Sequence, residues 1–296
     1  MKHVLIAGGS GFIGVKLSSF LTENGYHVSI LTRNPKEKNH FLWNPSEGVL
    51  DENCLGNVQI LINLTGAGIA DKRWSKARKK ELLESRIGSN ALLFQHASKM
   101  PKLEHFICSS GINSYGFDDS THEHIETEPF GKDFLAQLVQ KWEESADLFQ
   151  THCGVTKIRT AVVLGREGGA LPKFMKPVQW GVGSLLGTGK QFVPWIHVHD
   201  LLGIFHHVID NKLLGVYNAV SGNVSNSELT HEIANVIHRK IWLPNTPASF
   251  ITMLFGEMSS MLLQGVCASN TKITDSGYVF KFQNIRAALI DLCALK

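Results

Sequence analysis

The chain has 296 residues, 43% of them hydrophobic, and a formal net charge of +3. That length and apolar content suffice for one large α/β domain with an appendage, or for two domains. The charge is close to neutral, and the densest basic stretch, "DKRWSKARKKE" (71–81), reads as a solvated helix face, so nucleic acid is not an expected partner.

Five cysteines (Cys54, Cys108, Cys153, Cys267 and Cys293) are scattered without a C-x-x-C pair. Such a set fits a reducing compartment, and a cytoplasmic location is expected. The opening apolar run is broken early by glycines, so no secretory leader is expected. The most membrane-like window, "FITMLFGEMSSMLLQGV" (250–266), holds Glu257 and Gln264. It reads as a core or interface helix, and no membrane partner is expected.

In chain order, "HVLIAG" (3–8) predicts a strand. "GFIGVKLSSFLTENG" predicts a helix, with Ile13, Leu17 and Leu21 four apart and Asn24-Gly25 as its stop. "HVSILTR" (27–33) predicts the next strand, which completes a βαβ unit. Strands are expected at 58–66, 104–111 and 155–165, and helices at 76–99 and over "DFLAQLVQKWEE" (133–144). Near-continuous apolar strands between helices imply a doubly wound parallel sheet, a Rossmann-type α/β fold.

After residue 165 the texture changes. A glycine-rich loop is expected at 181–192, a helix at 198–211 and a strand at 215–222. A helix over 225–240 opens with Ser225 and Glu228 in capping-box spacing. "LPNTP" (243–247) reads as a linker, and the last fifty residues as mostly helical. The expected division is a nucleotide-binding core over 1–165 and a smaller, mostly C-terminal substrate region over 166–296. That region is interleaved with the last sheet strands and has its own terminal segment over 245–296.

"GGSGFIG" (8–14) follows the first strand and opens the first helix. Gly8 permits the tight turn, Gly11 lets the backbone approach a pyrophosphate, and Gly14 allows close helix–strand packing. Phe12 and Ile13 then lie at a helix N-terminus whose free N–H groups face the phosphates. The alternative is a glycine turn needed for packing alone. The second strand ends in Thr32-Arg33, with no carboxylate for a ribose 2′-OH. An arginine there suits the 2′-phosphate of NADP, unless Arg33 is a plain surface charge.

These residues carry a resemblance. "AGGSGFIG", "LINLTGAGIADKRW" (61–74), "SSGINSYG" (109–116) and "TAVVLGREGGAL" (160–171) resemble the extended branch of the short-chain dehydrogenase/reductases. "RWSKARKKELLESR", "DFLAQLVQKWE", "GKQFVPWIHVHD" and the tail from "FGEM" to "SGYVFKF" narrow it to the epimerase-like family of that branch. Its members are described as NAD(P)-dependent epimerases or dehydratases of unassigned substrate.

The resemblance implies cofactor contacts by Thr32, Arg33, Leu64, Thr65, Glu81, Arg86 and Val163. Thr65 stands where the family usually has Ala, and "VCASNTKI" lacks an expected proline.

Short-chain dehydrogenases use a Ser or Thr hydroxyl to orient the substrate oxygen. A Tyr then moves the proton, and a Lys four residues later lowers the phenol's pKa. Ser110, ending the strand at 104–111, stands in the place of the hydroxyl, unless it is only a loop cap. None of the four tyrosines is followed by a lysine four residues on, and Phe134 and Leu138 occupy the matching helical turn. Tyr115 is the best remaining proton-transfer candidate, with Lys132 and Asp133 behind it; for each the alternative is a surface or packing role.

"PWIHVHD" (194–200) offers Trp195 and His197 to a substrate, or else a helix entry with Asp200 near the cap and Trp195 in the core. His197 and His199 make no metal pair without further ligands, "HEH" (122–124) lies in a polar loop, and no metal is expected.

Two readings follow. One is an NADP(H)-dependent oxidoreductase or epimerase acting on a small polar, perhaps nucleotide-sugar, substrate. The other is a non-catalytic NADP(H)-binding sensor or scaffold. The expected partners are the small molecule and, optionally, a second copy of the chain in a homodimer.

Overall fold

β1 (His3–Ala7) is an apolar run whose Val4, Leu5, Ile6 and Ala7 are completely buried. In the computed structural model, which describes residues 1–118 and 121–294, it lies near the middle of an eight-stranded sheet. α1 (Phe12–Glu23) leads to β2 (His27–Thr32) on one side of β1. β3 (His40–Asn44) and β4 (Val49–Leu50) extend that edge, β4 antiparallel.

The chain then crosses to the other side of β1. β5 (Ile60–Asn63) pairs with β1, β6 (His105–Gly111) with β5, and β8 (Gly154–Thr160) with β6. The order is β11-β8-β6-β5-β1-β2-β3-β4, with β11 (Gly215–Ala219) at the far edge. The order therefore reverses between β1 and β5, and a crevice opens beyond their carboxyl ends.

Helices cover both faces. α1 packs with α5 (Val198–Asp210), and α2 (Lys76–Gln95) packs with α3 (Phe134–Asp147) on the other face. Strands apolar on both sides need this double cover, so the parallel doubly wound fold follows directly from their composition.

The expected strand at 155–165 is interrupted at Ala161. β8 has Gly111 of β6 and Ala219 of β11 as its last partners. Past them the main sheet has no further partner, so β9 (Val162–Leu164) joins a second sheet with β10 (Phe192–His197) and β12 (Gly222–Ser225). This sheet packs with α4 (Leu171–Gln179), α6 (Asn226–Val236) and α10 (Ile285–Cys293) around Trp195 and Leu229. Ser225 caps α6 as its spacing implied, its hydroxyl accepting from Glu228 N–H at 3.0 Å.

The window 250–266 is not one helix. Gly256, at φ +59°, ends α7 (Ala248–Phe255), and α8 (Ser260–Leu263) follows after a turn. No helix among the described residues is long and apolar enough to cross a membrane. β7 (Glu123–His124) and β13 (Cys267–Ala268) form a small parallel pair, and α9 (Thr271–Asp275) comes next.

Asp200 lies in the first turn of α5, near its cap as expected, and its carboxylate also reaches the C-terminal segment. It is completely buried and accepts from Lys281 N–H at 2.8 Å, Phe282 N–H at 3.0 Å and the Tyr278 hydroxyl at 3.1 Å. One carboxylate thus ties the C-terminal segment to the core.

Candidate functional site

The β1–α1 turn holds its glycines for different reasons. Gly8 has φ +77°, which a side chain rarely adopts. A Cβ on Gly14 would lie 2.5 Å from the Gly8 carbonyl oxygen and 2.5 Å from Gly9 Cα, so helix and turn touch there. A Cβ on Gly11 would meet only the Gly8 oxygen, at 3.3 Å. Gly11 is therefore the glycine that keeps the outer surface of the turn open. It is also the N-cap of α1, and no side chain caps that end.

A cavity of roughly 320 Å³ opens beyond the carboxyl ends of β5, β6 and β8. Ile13, on the first turn of α1, joins it to the glycine turn. Leu64, Gly66 and Arg86 line the side nearest β5. Ser109 to Asn113 follow β6 around it, and Leu135, Leu138, Val139 and Trp142 of α3 form one wall. Phe192, Val193 and Pro194, with Met261 and Gln264 to Val266, close it from the C-terminal side.

Arg86 is the charged residue of this lining. It is buried, its Nη1 donates to the Leu82 carbonyl at 2.9 Å and its Nη2 to the Ala67 carbonyl at 3.0 Å. Among the described residues no carboxylate pairs with it, and its Nε has no partner. Burial, and then the nearby charge of Arg78, pushes its guanidinium down to about 10. A buried cation held by neutral oxygens and laid over the Trp142 ring, with no carboxylate, is suited to an anionic or hydroxyl-rich ligand. Gly66 makes room for it: a Cβ there would sit 2.9 Å from the Arg86 Cζ. The Thr65 hydroxyl is likewise buried without a partner, on the same turn.

Other expected cofactor contacts are placed as follows. Thr32 is buried and its hydroxyl donates to Ser10 Oγ at 3.1 Å; Arg33 beside it is exposed at the end of β2. Val163 lies in β9, opposite Ile196. Phe12 packs beneath the 165–169 loop, so close that a Cβ on Gly168 would fall 2.4 Å from its ring. Glu81 is turned away from the cavity lining, and it pairs with Arg78 at 2.7 Å while 54% exposed.

Ser110 lines the cavity, and what lies behind it was not expected. Its hydroxyl donates to Glu143 Oε1 at 2.6 Å. Arg159 completes the group, with Nε on Oε1 at 2.8 Å and Nη2 on Oε2 at 3.0 Å. Strand register places Ser110 directly beside Arg159. Burial draws the Arg159 pKa down, and the hydrogen bonds and charge of Glu143 more than reverse this. A signal for both residues was present in the sequence. Glu143 falls within the buried stripe of α3 together with Val139, Trp142 and Ala146, and Arg159 follows Ile158 in a strand of the main sheet whose two neighbours are also strands.

Three residues expected in catalysis or substrate binding are not brought to the cavity. Tyr115 is 7% exposed; its hydroxyl donates to Asn218 Oδ1 at 2.8 Å and its ring stacks on His124. Burial, only partly opposed by Arg159, raises its pKa. The tight turn Ile112–Tyr115 carries it past the cavity, which Asn113 and Phe117 line instead. Trp195 is buried in the second core, packed among residues of α4, α6 and α10, while Phe192, Val193 and Pro194 before it reach the cavity. His197 is the N-cap of α5: its Nδ1 accepts from His199 N–H at 3.0 Å and its ring stacks on Phe282.

The helix 133–144 shows the expected faces. Leu138 and Trp142 are buried, Phe134 is half-buried against Trp74, and Lys141 and Glu144 are exposed. Asp133 is its N-cap, accepting from Leu135 and Ala136 N–H groups. Lys132, the other weak proton-transfer candidate, does not line the cavity. Apart from the cavity, His122, His124 and Glu128 come together with ligand atoms within 4.8 Å. Hydrogen bonds from the two rings to Glu128 account for this arrangement.

Comparison with known proteins agrees with this architecture. The model of the "NAD dependent epimerase/dehydratase family" matches residues 4–219, and a "Domain of unknown function (DUF1731)" matches residues 246–292. The epimerase family protein SDR39U1 of Mus musculus is 33% identical, over 99% of this chain and 100% of its own. The epimerase family protein YfhF of Bacillus subtilis (strain 168) is also 33% identical, over 99% of this chain and 98% of its own. A crystal structure of human epimerase family protein SDR39U1 (isoform2) with NADPH superposes with a TM-score of 0.89 at 31% identity, covering 98% of each chain.

Proposed function

The chain belongs to the NAD-dependent epimerase/dehydratase family, and from that premise we propose that it is an NADP(H)-dependent oxidoreductase or epimerase. It acts on a small molecule held against Ser110. The observation that carries this reading is a serine hydroxyl at the wall of the crevice cavity, backed by a buried carboxylate–guanidinium pair.

The residues present fit the cofactor named for the human relative. The open surface at Gly11 and the uncapped N-terminus of α1 suit a pyrophosphate. Arg33, exposed beside buried Thr32, suits a 2′-phosphate. Arg86 and the Thr65 hydroxyl, with unpaired buried polar atoms, suit the ribose side. Bound NADP(H) supplies or accepts the hydride.

The chain's own contribution is the proton. Ser110 gives its hydrogen to Glu143, so its oxygen is free to accept from a substrate hydroxyl. As Ser110 takes that proton, its own passes along the 2.6 Å bond to Glu143, and Arg159 offsets the charge at either stage. This route stands in for the Tyr–Lys pair, whose positions Phe134 and Leu138 occupy. A small polar, nucleotide-sugar-like substrate is the reading of the sequence; the cavity lining bears on that choice below.

The second reading, an NADP(H) binder without turnover, is favoured by those same two apolar residues. Ser110→Ala separates the two. It should keep NADPH affinity and lower turnover by about a hundredfold or more, followed as absorbance at 340 nm with the substrate found by screening. The variant should also lose about 1–3 kcal/mol of stability, since it removes a hydrogen bond to a buried carboxylate. Full turnover in Ser110→Ala would remove Ser110 from the mechanism.

Arg33→Asp tests the cofactor. NADPH affinity should fall by roughly tenfold or more, with NADH gaining, as a guanidinium–phosphate pair is replaced by a carboxylate suited to a 2′-OH. Calorimetric titration with both nucleotides measures it. Equal affinity of the unaltered protein for NADH and NADPH would refute the assignment.

A further inference from the structure

Resting on the oxidoreductase reading above, we propose that the substrate is an uncharged, mainly apolar carbonyl compound or its alcohol, and not a nucleotide sugar. The argument is charge complementarity. Arg86 is the charged side chain among the described residues that line the cavity. It is fixed on the β5 side by the Leu82 and Ala67 carbonyls, with Gly66 beneath it. That is the side on which the cofactor's ribose is placed.

Beyond Ser110 no described residue of the walls is a cation. α3 presents Leu135, Leu138 and Val139, and the C-terminal side presents Phe192, Met261 and Val266. A nucleotide diphosphate brings two negative charges, which need cations or a set of aligned N–H donors. Against these walls the diphosphate would be stripped of water without replacement partners. The polar groups on this side are neutral: the Ser110 hydroxyl, Asn113, Thr160 and Gln264. They suit one carbonyl or hydroxyl oxygen on an otherwise apolar body.

Size points the same way. The cavity, roughly 320 Å³, is at the small end of ligand sites, which run from about 300 to 1,000 Å³. The nicotinamide end of the cofactor takes part of it. In the reducing direction the carbonyl carbon gains a hydride from NADPH and the oxygen gains the Ser110 proton, which a protonated Glu143 replaces along their hydrogen bond and which is restored to Glu143 from water, yielding the alcohol and NADP⁺.

The test is binding to the NADP⁺-loaded protein, read by saturation-transfer NMR with acetophenone, 2-octanone and UDP-glucose as probes. Both ketones should bind and UDP-glucose should not. Met261→Lys, at a half-buried position of α8, should retain the melting temperature and weaken ketone binding by about tenfold, through loss of apolar contact and introduction of a charge. Binding of UDP-glucose, absence of ketone binding, or unchanged ketone affinity in Met261→Lys overturns the proposal. Ketone binding without any NADPH consumption at 340 nm counts against the oxidoreductase reading and leaves the substrate class standing. NADPH formation from NADP⁺ with UDP-glucose does the reverse.

Discussion

Glu143→Ala should cost about 3–5 kcal/mol of folding stability, because it leaves Arg159 as an uncompensated charge in the interior. Both side chains are 3% exposed and joined by two hydrogen bonds. The same change strips Ser110 of its acceptor. Urea unfolding is the measurement, with the loss read as a lower midpoint at unchanged slope. Glu143→Gln keeps an acceptor for Ser110 and should fall between Ala and the unaltered protein. A loss below about 1 kcal/mol in Glu143→Ala would mean that Arg159 finds water or another partner, and would remove the pair from the account of Ser110. The size of this effect measures the harm of breaking the pair. It does not measure the pair's net contribution over an apolar substitute of the same shape.

Gly14→Val and Gly11→Val should part company, although the two glycines stand three residues apart. At Gly14 a Cβ would be 2.5 Å from backbone atoms of Gly8 and Gly9, which have no flexible end to move. Gly14→Val should therefore destabilise by about 3 kcal/mol or more, by overpacking a rigid contact between helix and turn. At Gly11 the only neighbour is the Gly8 oxygen at 3.3 Å, and the residue is exposed. Gly11→Val should melt near the unaltered protein and lose NADPH binding, because the branched side chain occupies the surface offered to the pyrophosphate. Thermal melts beside fluorescence titration with NADPH decide it. If Gly11→Val binds NADPH normally, the turn serves packing alone.

Some expectations held only in part because local pattern cannot see where a sheet ends. The apolar run 155–165 carries no break signal, yet it divides at Ala161, where its neighbours Gly111 and Ala219 finish. The short strands β3 and β10 and the helix α4 escaped notice for a related reason. Each is brief; β10 and α4 are held by partners distant in the chain, while β3 pairs with its sequence neighbours β2 and β4 but is too short and too polar to show as an apolar run. Tyr115 and Trp195 were reasonable candidates by position in sequence. A tight turn carried Tyr115 into one core, and the helices packed on the second sheet enclosed Trp195 in another.

The sequence by itself determined the glycine turn after β1 and the parallel sheet around it. Gly8, Gly11 and Gly14 act within one turn, and the apolar strands on either side admit a single layered arrangement, so neighbouring residues contain the whole argument. Leu138 facing inward and Lys141 facing outward were legible for the same reason, as consequences of helical period. Only the tertiary structure decided what stands behind Ser110. Glu143 lies 33 residues from it and Arg159 a further 16 on, and strand register together with helix packing makes them neighbours. The chemistry on the far side of the cavity was decided in the same way. Met261 and Val266 come from the C-terminal segment, which the buried Asp200 carboxylate ties back to the core at residues 278–282. Contacts over such separations depend on closing long loops and burying the groups that meet, and no local pattern of residues records that.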